Sequence, residues 1–271
     1  MESPLAIDLF CGLGGWTDGL LAEGYYVVGF DTDQHIYGKY RYPGQLVIQD
    51  VTTLHGSQFK DAALIVASPP CQEYSYMAMP WSLAKAKAAE YRSGKRDVKH
   101  LTALFYACFR IQREACEAAG RHIPLIVENV KGAQPWIGRA RWNFGSFYLW
   151  GDVPALMPTA RTFKSSGMNW SDRSKHGQDF TRLAGEYRIK VASLDGGCRA
   201  AIGKGARFTS RDCSEEGIKQ RGSGREWLAG DGKISRMTSS KSPSRKFASA
   251  MIAKIPLPLS RHIAKTFRPD L

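Results

Sequence analysis

Along the chain, short apolar runs rich in β-branched residues alternate with longer segments whose apolar positions recur at helical spacing. Residues 5–10 (LAIDLF), 25–30 (YYVVGF), 46–48 (LVI), 62–67 (AALIVA) and 123–127 (IPLIV) read as buried strands. The clearest helix runs from Leu101 to Ala119. Leu101, Leu104, Phe105, Cys108, Ile111, Gln112 and Ala115 mark one face, apolar except at Gln112, and Gly120 supplies a stop. Strands alternating with helices predict an α/β fold with a doubly wound, mostly parallel sheet, in which the loops after the strands' C-terminal ends form the site. Two segments depart from this rhythm. Residues 78–100 are basic and polar and read as a long mobile loop or a loop with a short helix. Residues 161–246 break repeatedly at Gly, Ser, Arg and Lys, as a flexible linker or a small irregular lobe would. The isolated aromatics Trp170, Phe180, Tyr187, Phe208 and Trp227 favour the lobe.

The composition narrows the class. With 271 residues, 43% of them hydrophobic and 11% aromatic, the chain can bury a sizeable core. No apolar run approaches the roughly 18 residues that a membrane span needs. The start, MESPLAIDLF, has neither a basic stretch nor a long apolar region, so no signal peptide and a cytoplasmic protein are expected. Cys11, Cys71, Cys108, Cys116, Cys198 and Cys213 form no CxxC pair, and the six histidines are scattered, so neither a disulfide framework nor a metal site is expected. The formal charge of +13 favours a polyanionic partner, nucleic acid first. Between Arg161 and Lys246, about 19 Lys and Arg stand against about 9 Asp and Glu, so most of the excess sits in one region.

The strand ends carry the candidate chemistry. The first leads into DLFCGLGGWTDGL, where Gly12, Gly14 and Gly15 allow a tight turn and close approach of a ligand before a helix near Trp16. The second ends at Asp31 in FDTD, about 20 residues on, where an acid can accept both hydroxyls of a ribose. The third is followed by Asp50 in IQDV. Glycines, an acid and an acid at successive strand ends describe a nucleoside site; helix capping is the competing assignment for Asp31 and Asp50. The fourth strand ends in SPPCQEYS, two prolines stiffening a turn that presents one thiol, and the fifth in ENV, Glu128 to Val130.

These pieces resemble the cytosine-C5 DNA methyltransferase family. FCGLGG is similar to its S-adenosylmethionine signature and SPPCQEYS to its Pro-Cys-Gln nucleophile motif, and the motifs follow the family's order over residues 6–151 and, more weakly, 252–264. The resemblance implies a sheet of the S-adenosylmethionine-dependent methyltransferase type. It implies S-adenosyl-L-methionine as cofactor, leaving as S-adenosyl-L-homocysteine, with no metal, held by Phe10, Gly12, Gly14, Gly15, Trp16, Asp31, Thr32, Asp50, Val51 and Pro69. Cys71 would add to C6 of cytosine and so make C5 nucleophilic, while Glu128 stabilises the adduct at N3 and the exocyclic amine. Cytosine is stacked in duplex DNA, so it would be flipped out, with Tyr74, Met77 or Trp81 filling space nearby.

In AQPWIGRARWNFGSFYLWGD, Gln134, Arg139 and Arg141 stand nearest the family's Gln and Arg positions before the strand SFYLWG, where relatives contact the target nucleotide and its phosphate. The spacing is looser than the family's pattern, and ENV lies almost against this segment. At the C-terminus IPLPLS fits the last family motif, but its Gly-Asn positions are Ile252 and Ala253. The expected organisation is therefore a compact, divergent member: a catalytic and cofactor-binding domain at 1–160, a basic target-recognition region at 161–246 and a segment at 247–271 returning to the catalytic domain. The implied partner is double-stranded DNA, with no membrane, a monomeric state and a possible cognate restriction endonuclease in a restriction-modification setting. RNA as substrate, or a catalytically silent nucleic-acid binder, are the alternatives.

Overall fold

The apolar runs assemble into one seven-stranded sheet of order β3-β2-β1-β4-β5-β7-β6. Its strands are β1 (Leu5–Leu9), β2 (Tyr26–Asp31), β3 (Gln45–Ile48), β4 (Leu64–Ala67), β5 (Leu125–Asn129), β6 (Trp142–Phe144) and β7 (Phe147–Gly151). Strands β1 to β5 are parallel; β7 runs antiparallel to both β5 and β6. The computed structural model describes residues 3–72, 74, 81–158, 246–247, 250–251 and 253–269. The expected recognition region at 161–246 therefore lies, apart from Lys246, outside the described residues, as do Glu73, Met77 and Ile252. The chain divides into one unit of Met1–Ala160 with Lys254–Leu271 and another of Arg161–Ala253; the sheet and the helices that cover it belong to the first.

The register sets the strand ends side by side. Leu9 pairs with Phe30 and with Ala67, and Ala67 with Val127. Phe10, Asp31, Ser68 and Glu128 are each the next residue, so four motifs far apart in sequence share one edge. The order reverses between β1 and β4, since the chain builds outward to β2 and β3 on one side and to β5 on the other. A ligand crevice forms at such a switch point.

Both faces of the sheet are covered, which is why β4 and β5 are buried throughout and read as continuous apolar runs. On one face Ile7, Leu9, Ile65, Ala67, Leu125 and Val127 pack against Phe105, Cys108, Ile111 and Ala115 of α3 (Val98–Ala119). On the other, Ala6, Leu64, Val66 and Ile126 pack with α1 (Gly15–Ala22) and the C-terminal helix α5 (Leu257–Phe267). Helix α3 starts three residues earlier than its apolar face suggests, because Asp97 caps it by accepting from Lys99 N–H at 2.8 Å. Gly120, at φ 64°, ends it. Gln112, the polar intruder on its face, donates to Ile123 O and to Asp152 Oδ2, and Asp152 in turn accepts from Leu125 N–H at the start of β5.

Two connections stand out: one takes the form of a loop with a short helix, the other lacks a helix altogether. The basic segment after Cys71 contains a three-turn helix, α2 (Trp81–Arg92), built from good helix formers. Its Tyr91 stacks edge-on against Trp136 of the single-turn α4 (Gln134–Ile137) at 5.6 Å. The crossover from β2 to β3, residues 32–44, is a strap with one small bridge, Tyr37 to Tyr40, where a covering helix is usual. Tyr42 takes over that covering. Its ring lies on Gly29 of β2, where a Cβ would stand 2.3 Å from Tyr42 Cζ.

Helices α1 and α5 approach almost backbone to backbone. A Cβ at Gly19 would lie 2.4 Å from Ser260 C, and one at Gly15 would lie 2.2 Å from Ile255 N. The ion pairs Lys254–Asp18 (2.6 Å) and Arg261–Glu23 (2.7 Å) flank this seam. Gly19→Ala gains helix propensity worth about 1 kcal/mol. Overpacking against backbone that cannot yield costs about 1–3 kcal/mol or more. We expect a net lowering of the thermal midpoint by a few degrees, read by calorimetry; a raised midpoint would show that the seam can open.

Candidate active site

The turn between β1 and α1 is where the chain leaves ordinary backbone geometry. Phe10 (φ 57°), Gly12 (φ 50°) and Gly14 (φ 71°) all sit in the left-handed region, and a non-glycine residue there marks stored strain of the kind found at functional sites. The three glycines have different neighbours. A Cβ at Gly12 would meet no described residue within 4 Å, whereas one at Gly14 would strike Pro43 Cδ at 2.4 Å and one at Gly15 the backbone of Ile255. Among the described residues Gly12 therefore faces open space, while Gly14 and Gly15 make room for the chain itself. Trp16 also serves the scaffold. It is 2% exposed, sits in the cluster with Leu259 and Ile263, and donates from Nε1 to Ser68 Oγ at 3.0 Å, tying α1 to the end of β4.

Asp31, at the end of β2, closes the turn by accepting from Gly12 N–H at Oδ2 (2.9 Å). Its Oδ1 accepts from Thr32 N–H at 2.7 Å and meets His35 Nε2 at 3.2 Å. Burial alone would raise its pKa; the His35 bond and the Gly12 and Thr32 amides more than offset this and hold the carboxyl below its usual value. Thr32 is exposed beside it. Asp50 is the helix cap of the competing assignment. Its Oδ1 accepts from Thr52 N–H and Thr52 Oγ1, both at 2.8 Å, and these bonds depress its pKa. The Val51 side chain is wholly buried in the core on the α3 face, so only its backbone remains for a ligand.

One acid is missing from the sequence-derived site. Asp8, inside β1, is fully buried; Oδ2 accepts from Thr17 Oγ1 at 2.6 Å, and the Thr17 hydroxyl meets Tyr42 Oη at 2.6 Å. Among the described residues its Oδ1 has no hydrogen-bond partner. Burial drives this carboxyl well above the usual range. The signal for it was a charged residue within an otherwise apolar strand run.

The Cys71 turn is held from both sides. Buried Asn129 at the end of β5 donates from Nδ2 to Pro69 O at 3.0 Å. On the far side of the turn, Tyr74 N–H donates to Cys71 O at 3.0 Å and Tyr74 Oη donates to Leu101 O of α3 at 2.6 Å. Cys71 itself is half-buried. Glu128, 5% exposed, precedes Asn129 and points to the opposite face of the sheet, since neighbours on a strand alternate. Pro69 and Pro70 restrict the backbone, and Asn129 and Tyr74 place it. Asn129 stands within ENV, but nothing in the sequence around it reveals this positioning role.

Arg139 and Arg141 are exposed and stand together with Gln134, Trp142, Asn143 and Tyr148 around an open concavity of about 500 Å³. Gln134 Oε1 accepts from Ala140 N–H and Arg141 N–H donates to Leu149 O, fixing the approach to β6. Neither Cys71 nor Glu128 lines that space. Among the described residues no group of three or more His, Cys, Asp or Glu stands close enough to hold a metal ion, and no helix is long and apolar enough to cross a membrane.

The thiols should differ in reactivity. Cys11 and Cys108 are buried, and burial pushes both thiols up, Cys108 to about 12. Brief iodoacetamide treatment at neutral pH with peptide mapping should label Cys71 at least about tenfold faster than Cys108. Equal rates would mean that the turn leaves Cys71 no more accessible than a core thiol.

Residues 5–134 match the family model described as C-5 cytosine-specific DNA methylase. Among solved structures, a protein described as a DNA modification methyltransferase encoded within an E. coli prophage is 23% identical over 48% of this chain, at a TM-score of 0.33. The match spans about a third of that protein's own chain, 33%. The Entamoeba histolytica methyltransferase EhMeth is 10% identical over 98% of both chains, at a TM-score of 0.44. The S. pombe Dnmt2 methyltransferase is 11% identical over 97% of this chain and 98% of its own, also at 0.44. No curated protein matches. The switch-point turn, the thiol turn and the glutamate strand all lie within the matched span, and residues 5–134 form a domain of the cytosine-C5 DNA methyltransferase family, with the α/β sheet of S-adenosylmethionine-dependent methyltransferases.

Proposed function

We propose that this chain transfers a methyl group from S-adenosyl-L-methionine to carbon 5 of cytosine in a nucleic acid, with Cys71 as the nucleophile. The observation that carries the reading is the thiol turn at the end of β4, fastened through Pro69 O to Asn129 on the strand that also bears Glu128. Such a turn holds a sulfur in near-attack geometry without depending on a mobile side chain alone.

The chain's groups suit the cofactor. Gly12 leaves open space at the switch point, and Asp31 is an ionised acceptor for a ribose diol. The first turn of α1 has no side-chain cap, so its N–H groups are available to a carboxylate. Asp8 Oδ1, buried and without a hydrogen-bond partner among the described residues, is a polar atom that a ligand group or a water beside it would satisfy. S-adenosylmethionine, when bound, supplies an electrophilic methyl group. Phe10, Gly12, Asp31, Thr32 and the Val51 backbone are proposed to hold it.

The protein's part in the chemistry follows from the thiol. The Cys71 thiolate adds to C6 of cytosine, breaking the C5–C6 double bond and placing its electron pair on C5, which then acts as the nucleophile. Glu128 holds a proton at N3, neutralising charge that builds on the ring. After transfer, loss of the C5 hydrogen as a proton expels the Cys71 thiolate and restores the double bond. Arg139 and Arg141 are proposed to receive a phosphate of the target strand at their concavity, and the basic surface of α2 and the start of α3 to track the backbone. DNA and RNA both fit this chemistry, and DNA is the substrate tested first because the matched family acts on it.

The test is nucleoside mass spectrometry of DNA and RNA from a host lacking cytosine-C5 methylation, expressing this protein or its Cys71→Ser variant. We expect 5-methyldeoxycytidine with the unmodified chain and a loss of at least about a thousandfold with Cys71→Ser. 5-Methylcytidine confined to RNA would move the reading to RNA, and no product in either pool would overturn it. A separate measurement addresses the basic surface. Replacing Lys85, Lys87 and Lys95 together by Ala should weaken DNA binding and reduce the slope of log K against log salt by roughly two to three. An unchanged slope would remove α2 from the interface.

A further inference from the structure

The strap that replaces the β2–β3 helix carries a group the reaction does not need. His35 adopts φ 49°, one of two non-glycine residues in the left-handed region among the described residues; the other is Phe10 of the cofactor turn. That conformation directs the half-buried His35 ring back along the strap, with Nε2 3.2 Å from Asp31 Oδ1. The remaining contacts of Asp31 come from backbone: Gly12 N–H on Oδ2 at 2.9 Å, Thr32 N–H on Oδ1 at 2.7 Å and a long approach by Asp33 N–H at 3.4 Å.

The acceptor positions of Asp31 are nearly full. An ionised carboxylate offers about four lone-pair positions. Gly12, Thr32 and His35 use three of them, and the Asp33 amide crowds Oδ1 further. A vicinal diol that donates two hydrogen bonds to Asp31 finds one free position, on Oδ2. The amides belong to the turn and to the strand end and cannot leave without unmaking both. The imidazole can leave by side-chain rotation alone.

We propose that His35 is a latch on the ribose seat, holding Asp31 Oδ1 when the cofactor is absent and giving up that position to a hydroxyl of the diol when the cofactor binds. The inference rests on the assignment of Asp31 as the diol acceptor. The latch is proton-sensitive. The Asp31 hydrogen bond raises the pKa of His35 despite opposition from burial, and Asp31 and Asp33 add attraction. Asp33 also acts on neighbouring Tyr37, and Asp31 lies within the influence of buried Asp8, but among the described residues no basic side chain acts on the ring. The raised pKa belongs to the latched state, so protonation favours the latch at low pH and this advantage is lost as pH rises through the raised value. Cofactor binding then releases part of a proton and tightens with pH, by at most about tenfold per unit.

The experiment is titration calorimetry of the full chain with S-adenosylhomocysteine between about pH 5.5 and 8.5, repeated in two buffers of different ionisation enthalpy. The same series is run on His35→Asn and His35→Gln, which cannot titrate; Asn also tolerates the left-handed backbone, and thermal midpoints verify folding. The wild-type affinity should rise with pH relative to both variants, with proton release near neutrality that the variants lack. At pH 5.5 the variants should bind at least about threefold more tightly than the wild type. Superimposable pH profiles overturn the latch alone. A wild-type affinity that falls with pH relative to the variants also overturns it, because His35 would then assist the cofactor. Failure of the folded wild type to bind overturns the cofactor assignment and the latch with it.

Discussion

The parallel pairing of β1 with β4, from Ala6 opposite Leu64 to Leu9 opposite Ala67, is the constraint on which the remaining geometry depends. It creates the point where the strand order reverses, and a crevice opens there because the connections leave in opposite directions. Everything assigned a chemical role is then a consequence of register. Phe10 and Ser68 follow paired residues, Asp31 follows Phe30, and Glu128 follows Val127. A one-residue slip of β4 would turn its side chains over and carry the Cys71 turn away from Asn129.

Around that edge the chain uses its special residues for two different purposes. Gly14, Gly15, Gly19 and Gly29 let protein approach protein: Pro43, Ile255, Ser260 and Tyr42 occupy the space their side chains would take. Gly12 alone among the turn glycines opens outward. The buried polar groups divide similarly. Trp16 to Ser68, Asn129 to Pro69 and Tyr74 to Leu101 are fastenings within the protein, each satisfied and each near a turn that has to stay in place. Among the described residues Asp8 Oδ1, like Trp142 Nε1, is left without a partner, an unmade bond in a region where such bonds cost about 1–3 kcal/mol, and that cost is what makes it informative.

Much of this could be read in the sequence, for identifiable reasons. Strands β4 and β5 were legible because burial on both faces makes them apolar without interruption, β1, β2 and β3 because they are short runs rich in apolar and β-branched residues, and the candidate site followed because a doubly wound sheet places its chemistry at strand ends. Helix α2 was less legible, since its lysines and alanines bury little and its anchor, Tyr91 against Trp136, joins residues 45 positions apart. Strand β6, three residues long, had too little pattern to register. The self-packing roles of Gly14, Gly15 and Trp16 were also hidden. A glycine that admits a ligand and a glycine that admits a neighbouring helix look alike until the neighbour is placed. Asp50 capping a turn and Val51 filling the core are likewise tertiary facts, decided by where Thr52 and the α3 face lie.

If the function proposed for this chain holds, the fastened turn exists to present one sulfur to one carbon. The most direct measurement is incubation of the protein with S-adenosylmethionine and duplex DNA in which cytosine is replaced by 5-fluorocytosine, followed by denaturing electrophoresis and peptide mapping. Fluorine cannot leave as a proton, so an enzyme working through Cys71 should remain covalently joined to the DNA, with the crosslink on the peptide carrying Cys71 and none formed by Cys71→Ser. A crosslink at another residue, or equal crosslinking by the serine variant, would contradict that role. So would the absence of any crosslink from a preparation that methylates unsubstituted DNA.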